Sequence, residues 1–122
     1  MKFTIVFVIS LCPLLGFSSP QKEACQAKEN SRMAMAVISS NIANLNTTRT
    51  PEGGPYLKQE LICLDLFCEV KKTSKIVHKF EPDHPDADDS GFVSYPDINL
   101  QQEMESMIQA TRDFEEAAKS CP

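Results

Sequence analysis

One acidic segment has the composition of a calcium-binding loop. It runs from Asp86 to Asp97, with side-chain oxygens at its first, third and fifth positions and glycine at its sixth. Its twelfth position holds aspartate where a calcium loop needs a longer, bidentate glutamate, and nearby prolines do not allow an ordinary entering helix. These departures disfavour calcium. The candidate ligands are Asp86, Asp88, Ser90 and Asp97.

The sequence offers little for catalysis. His84 lies among aspartates and could serve as a metal ligand or general base, but the adjoining Pro85 favours a turn whose imidazole bonds nearby backbone. No Ser–His–Asp set, phosphate-binding glycine loop or pair of catalytic carboxylates can be assigned. We therefore predict that the protein is not an enzyme and requires no cofactor.

The first 18 residues are predicted to be a signal peptide. Lys2 precedes an apolar run from Phe3 to Leu15, and Gly16 and Ser18 occupy the −3 and −1 positions of a cleavage site. An apolar run of about 13 residues is too short to span a bilayer comfortably. We expect one domain over residues 19–122, with an uncleaved membrane anchor as the alternative.

Composition narrows the classes of partner. The chain of 122 residues has a formal net charge of −5, which argues against nucleic acid and anionic lipid because both are bound by clustered lysine and arginine. We expect no small-molecule substrate, and membrane contact only through a retained signal segment. Four cysteines outside that segment lack CxxC spacing and allow three disulfide connectivities.

Two amphipathic helices are predicted, over 21–45 and 98–120, with Asp97 capping the second. Short strands are predicted between them, over 56–64, 67–71, 76–80 and 92–95, because these runs are rich in β-branched and aromatic residues. The predicted fold is therefore mainly α, with a small insertion of strands and irregular loops.

Each helix carries an apolar stripe in alternating steps of four and three residues. Glu103 and the other acidic residues of the second helix fall off its stripe and are predicted to be solvated. The stripes could pack against each other in one chain or against neighbouring subunits, and spacing alone leaves both open. The candidate assembly residues are Met35, Ile38, Ile42, Leu45, Met104, Met107, Ile108 and Phe114.

Three sequence blocks occur in an order typical of one structural family. Residues 31–56 combine a helix end rich in asparagine with the run Thr-Arg-Thr-Pro-Glu-Gly-Gly-Pro-Tyr, and the blocks 82–93 and 96–112 follow. This arrangement resembles the FlgC-type proximal-rod proteins of the bacterial flagellar basal body. The resemblance implies a periplasmic structural subunit that supports motility. Its terminal helices would pack antiparallel and assemble with other rod subunits, and with further copies of itself, into a helical tube.

Two departures from the family pattern lead to further expectations. Family members lack a cleavable signal and continue well beyond the position of Phe114, so this chain is predicted to be divergent and short at its carboxyl end. Antiparallel helices would place Cys25 beside Cys121, and a turn through residues 64–67 would set Cys63 opposite Cys68. Free thiols or another pairing remain open.

Two other functions are alternatives to a rod subunit. The first is a periplasmic adaptor or binding module that has a rod-like scaffold but does not polymerise. The second, weaker alternative is a small calcium-binding protein.

Overall fold

The computed structural model describes residues 19–122, so the predicted signal peptide and Cys12 lie outside the described residues. Two helices, α1 (Pro20–Ala43) and α2 (Leu100–Ser120), flank four strands. The strands are β1 (Gln59–Leu64), β2 (Phe67–Lys72), β3 (Ile76–Phe80) and β4 (Phe92–Pro96). The predicted order of elements is confirmed, but four strands of five or six residues make "mainly α" too strong a description.

Local hydrogen bonds decide where α1 begins and ends. The Ser19 hydroxyl accepts a hydrogen bond from the amide of Lys22 at 3.2 Å, and Pro20 opens the helix, where its missing N–H costs nothing. At the other end the Asn44 side chain donates to the carbonyl of Ser40 at 2.8 Å. The helix therefore ends at Ala43, two residues before the predicted Leu45.

The second helix starts later than predicted and has a different cap. Asn99, not Asp97, is the N-cap, and its side-chain oxygen accepts from the amide of Gln102 at 3.2 Å. The amide of Ile98 donates to the carbonyl of Pro96 at 3.0 Å. This tight turn directly after β4 occupies the residues assigned to the first helical turn, so α2 begins at Leu100.

The two helices are antiparallel. Near one end of the pair, Cys25 of α1 is joined to Cys121 by a disulfide with a Cα–Cα distance of 4.8 Å. Near the other end, the Asn41 side chain donates to a carboxylate oxygen of Glu103 at 3.1 Å. No helix within residues 19–122 is both long and apolar enough to cross a membrane.

The first hairpin pairs β1 with β2 and holds the second disulfide. Cys63 lies directly opposite Cys68, and their Cα atoms are 4.0 Å apart. The turn between the strands has Asp65 at φ 54°, a conformation that aspartate tolerates well. Strand β1 begins at Gln59 and not at the predicted Tyr56, because the Tyr56 amide donates its hydrogen bond to the carbonyl of Thr47 and not to a neighbouring strand.

The second hairpin pairs β3 with β4 as a separate two-stranded sheet. Val93 is fully buried in it, and the Tyr95 hydroxyl donates to Glu81 at 2.8 Å, which raises the pKa of Tyr95. Gly91 has φ 85°, and a Cβ atom there would lie 2.8 Å from the Phe80 ring. Only glycine therefore fits at this close approach.

The two disulfides should differ in their contribution to stability. Replacing both Cys25 and Cys121 by serine should lower the free energy of unfolding by about 4 kcal/mol, and replacing both Cys63 and Cys68 by about 2 kcal/mol, because loop-closure entropy grows with loop length. Urea denaturation of the two double variants measures the difference, and the reverse order would contradict it.

A peptide map of the non-reduced protein that lacked both cross-links would show another pairing or free thiols.

Candidate assembly interface

A buried asparagine joins α1, β1 and α2. Asn41 is only 1% exposed, and its side-chain oxygen accepts from the Tyr56 hydroxyl and from the Gln59 amide, both at 2.9 Å. Its side-chain nitrogen donates to the Gln59 carbonyl at 2.9 Å and to Glu103 at 3.1 Å. Both polar atoms of the amide are thus satisfied, and the end of α1 is fixed to the starts of β1 and α2.

Glu103 is the charged member of this network. It is 5% exposed, and Lys58 lies 3.2 Å from its second carboxylate oxygen. A carboxylate this deeply buried is tolerated because an ammonium group and an amide compensate it. The prediction that Glu103 is solvated is wrong, since helical spacing could not reveal partners 62 residues away along the chain.

Six of the predicted assembly residues lie on inward or half-buried surfaces. Ile38 is buried, and the Thr111 hydroxyl lies 3.7 Å from the sulfur of Met35 across the helix pair. The ammonium group of Lys28 lies 5.7 Å from the centre of the Phe114 ring. The half-buried members of the set are Met35, Ile42, Leu45, Met107 and Phe114.

The other two predicted assembly residues lie elsewhere on α2. Met104 is 55% exposed and Ile108 is 53% exposed, together with Leu100 at 44%. We call Leu100, Met104 and Ile108 the outer row; their spacing of four residues places them along one side of the helix. The predicted single stripe of α2 is therefore two surfaces. Ala110, which is buried, was missed because it falls outside the alternating steps of four and three residues.

Two carboxylates of the acidic loop, those of Asp86 and Asp88, accept hydrogen bonds from other groups of the chain. Asp88 accepts hydrogen bonds from the amides of Ser90 and Phe92, both at 2.9 Å, which closes a local turn. The ring nitrogen of His84 accepts from the amide of Asp86 at 3.0 Å, which is the turn role predicted for it. Within residues 19–122 there is no group of three His, Cys, Asp or Glu side chains placed to hold a metal ion.

Known proteins are similar to this chain both in α1 and over most of its length. Residues 26–49, which hold most of α1 and the asparagine-rich turn, match the family described as flagella basal body rod protein. A flagellar basal-body rod protein FlgC from Borreliella burgdorferi is 33% identical over 130 aligned positions that cover 83% of this chain and 86% of that protein. The chain belongs to the flagellar basal-body rod protein family.

Two further FlgC proteins support the same assignment. The protein from Agrobacterium fabrum is 31% identical and the match covers 80% of each chain. The protein from Bacillus subtilis is 28% identical over 69% of this chain and 75% of its own length. These relatives are structural rod proteins and not enzymes, so membership of their family makes this chain a structural protein of the flagellar rod type and not an enzyme.

In this rod-family chain the loop after α1 is tied to the acidic loop. The Thr48 hydroxyl donates to the Asp86 carboxylate at 2.6 Å, and the Arg49 guanidinium pairs with the same carboxylate. The hydrogen bond from the Thr48 hydroxyl lowers the pKa of Asp86 below its usual value, and the Arg49 guanidinium lowers it further. Asp86 thus connects two of the three sequence blocks on which the family resemblance depends.

The Asn41 network should be the most sensitive polar site in the fold. Replacing Asn41 by alanine leaves the Gln59 backbone groups and Glu103 without this partner, so the free energy of unfolding should fall by about 3 kcal/mol. Asn46→Ala, at an exposed position of the same turn, is the matched control and should cost less than about 0.5 kcal/mol. Equal losses in urea denaturation would contradict this role for Asn41.

Proposed function

We propose that the protein is a subunit of the flagellar basal-body rod that assembles in the periplasm through the outer surfaces of its helix pair. The outer row is the observation that carries this proposal. Three large apolar side chains stand between 44% and 55% exposed on one side of α2, where the described fold does not cover them. Contiguous exposed apolar surface of this kind marks protein contacts in soluble proteins.

The periplasmic location is supported by two features of the chain. The predicted signal peptide over residues 1–18 would direct the chain to general secretion, in contrast to family members, which lack a cleavable signal. The structure also contains two disulfides, and such bonds form and persist in oxidising compartments such as the bacterial periplasm. The sequence and the cross-links therefore favour the same compartment.

The partners we propose are other rod subunits and further copies of this chain. Helix pairs that expose apolar side chains can contact neighbours on several sides, as a tube requires. The formal charge of −5 does not favour nucleic acid. Membrane contact would arise only through a signal segment that is retained.

One observation favours a second candidate function. The Cys25–Cys121 disulfide closes the helix pair within a single chain, and every buried side-chain polar atom within residues 19–122 has a hydrogen-bond partner. Such a fold can stand alone. A periplasmic adaptor that keeps the rod scaffold without polymerising is therefore the alternative.

Deletion of the gene separates these two functions. For a rod subunit, a clean deletion should abolish swimming, the wild-type gene should restore it, and the protein should co-purify with isolated basal bodies. Immunoblotting of basal bodies and swimming assays in soft agar measure these outcomes. Normal swimming after deletion, with the protein absent from basal bodies, would overturn rod function and support the adaptor.

A further inference from the structure

A groove runs along the helix pair between β1 and α2. Two adjoining cavities of about 300 and 370 Å³ form it, and their floor is made of small or apolar side chains. The Asn41–Glu103 contact lies at one end, and Asn30 and Asp113 lie at the other. The residues shared by both cavities are Ala34, Ile38, Leu61 and Ser106.

The outer row lies on a different face of the same helix pair. None of its residues lines either cavity. At 3.6 residues per turn, the groove residues Ser106 and Asp113 lie about half a turn around α2 from Met104. One molecule therefore presents a ridge of large apolar side chains on one face and a groove with an apolar floor on another.

The ridge and the groove match in length. The outer row covers nine residues of α2, a rise of about 12 Å, and the groove runs beside α1 from residue 30 to residue 41, or about 16 Å. Ridges of side chains at four-residue spacing pack into grooves of this kind between helices. Small floor residues such as Ala34 and Ser106 let a neighbouring helix approach closely.

The charge at the end of the outer row is opposite to the exposed charges at the ends of the groove. Arg112 continues the outer row by one further step of four residues and is exposed. The groove has an exposed carboxylate at each end, Glu60 near the Asn41 network and Asp113 at the opposite end. Lys58 lines the same end as Glu60, but its ammonium group is paired with Glu103 at 3.2 Å. A second copy could therefore bring its Arg112 to an acidic residue in either orientation.

We propose, resting on the proposed function, that the outer row of one copy packs into the groove of a second copy. The contact joins two different surfaces, so each bound copy leaves one free row and one free groove. Contacts of this heterologous type generate an open filament when the rotation between copies does not close a ring. The same chain thus supplies both halves of the junction.

Two complementary variants test this junction. Ile108→Glu places a charge in the row and keeps the groove, whereas Ser106→Trp fills the groove and keeps the row. In sedimentation experiments the wild-type protein should associate as its concentration rises, and each variant alone should dissociate at least about 30-fold more readily. An equimolar mixture should form a 1:1 dimer and nothing larger, because it contains one intact row and one intact groove.

Controls separate an interface effect from misfolding. Gln21→Glu adds the same charge at an exposed site in the first turn of α1 and should associate like the wild type. Met104→Glu is a second row variant in case Ile108→Glu does not fold, as judged by circular dichroism. Both row positions are more than half exposed, so folded variants are expected.

Three outcomes would overturn the proposed junction. A wild-type protein that stays monomeric at high concentration would show that a second copy does not occupy the groove. A mixture that stays monomeric, or row variants that associate like the wild type, would show that copies meet through other surfaces. The basal-body assay separates these failures from rod function, since a chain that does not self-associate but is found in basal bodies remains a rod subunit.

Discussion

The side-chain amide of Asn41 is the contact on which the rest of the structure depends. It is almost completely buried and connects α1, β1 and α2 through four hydrogen bonds. Without it, the backbone of Gln59 and the carboxylate of Glu103 would lose a partner away from water. Its position near the end of α1 also sets the relative placement of the helices, because the disulfide at Cys25 fixes only the opposite end. A polar network and a covalent bond thus hold the two ends of one antiparallel pair.

Closing the helix pair within one chain leaves other surfaces free for assembly. The inward residues, such as Ile38 and Ala110, are buried between the helices, and the outer row remains open to solvent. The side chains of α2 that stabilise the fold are therefore different from those that we propose to contact neighbours. A small chain can in this way fold by itself and still expose apolar surface. It also explains why one stripe in the sequence proves to be two surfaces.

Short-range chemistry accounts for what the sequence predicted well. The helices follow from their apolar periodicity, and β3 follows from its β-branched and aromatic composition with the same bounds in the structure. The failures involve distant partners. Burial of Glu103 depends on Lys58 and Asn41, which no local pattern connects to it. The cap at Asn99 depends on a turn at the end of β4, and both Asp97 and Asn99 are suitable capping residues on propensity alone.

The most direct test of assembly through the helix pair is photo-cross-linking inside intact basal bodies. A photoreactive amino acid introduced at position 104 of the full chain should form a cross-link to a neighbouring copy of the chain. Mass spectrometry should locate the attachment in the groove of that copy, within residues 30–41 or 58–63 or at one of the groove-lining residues of α2, which are Glu103, Ser106, Gln109, Ala110 and Asp113. The same amino acid at exposed position 21 serves as the control and should give no such product. Cross-links that arise only within one chain, or only at surfaces outside the groove, would contradict packing of the outer row into the groove of a neighbouring copy.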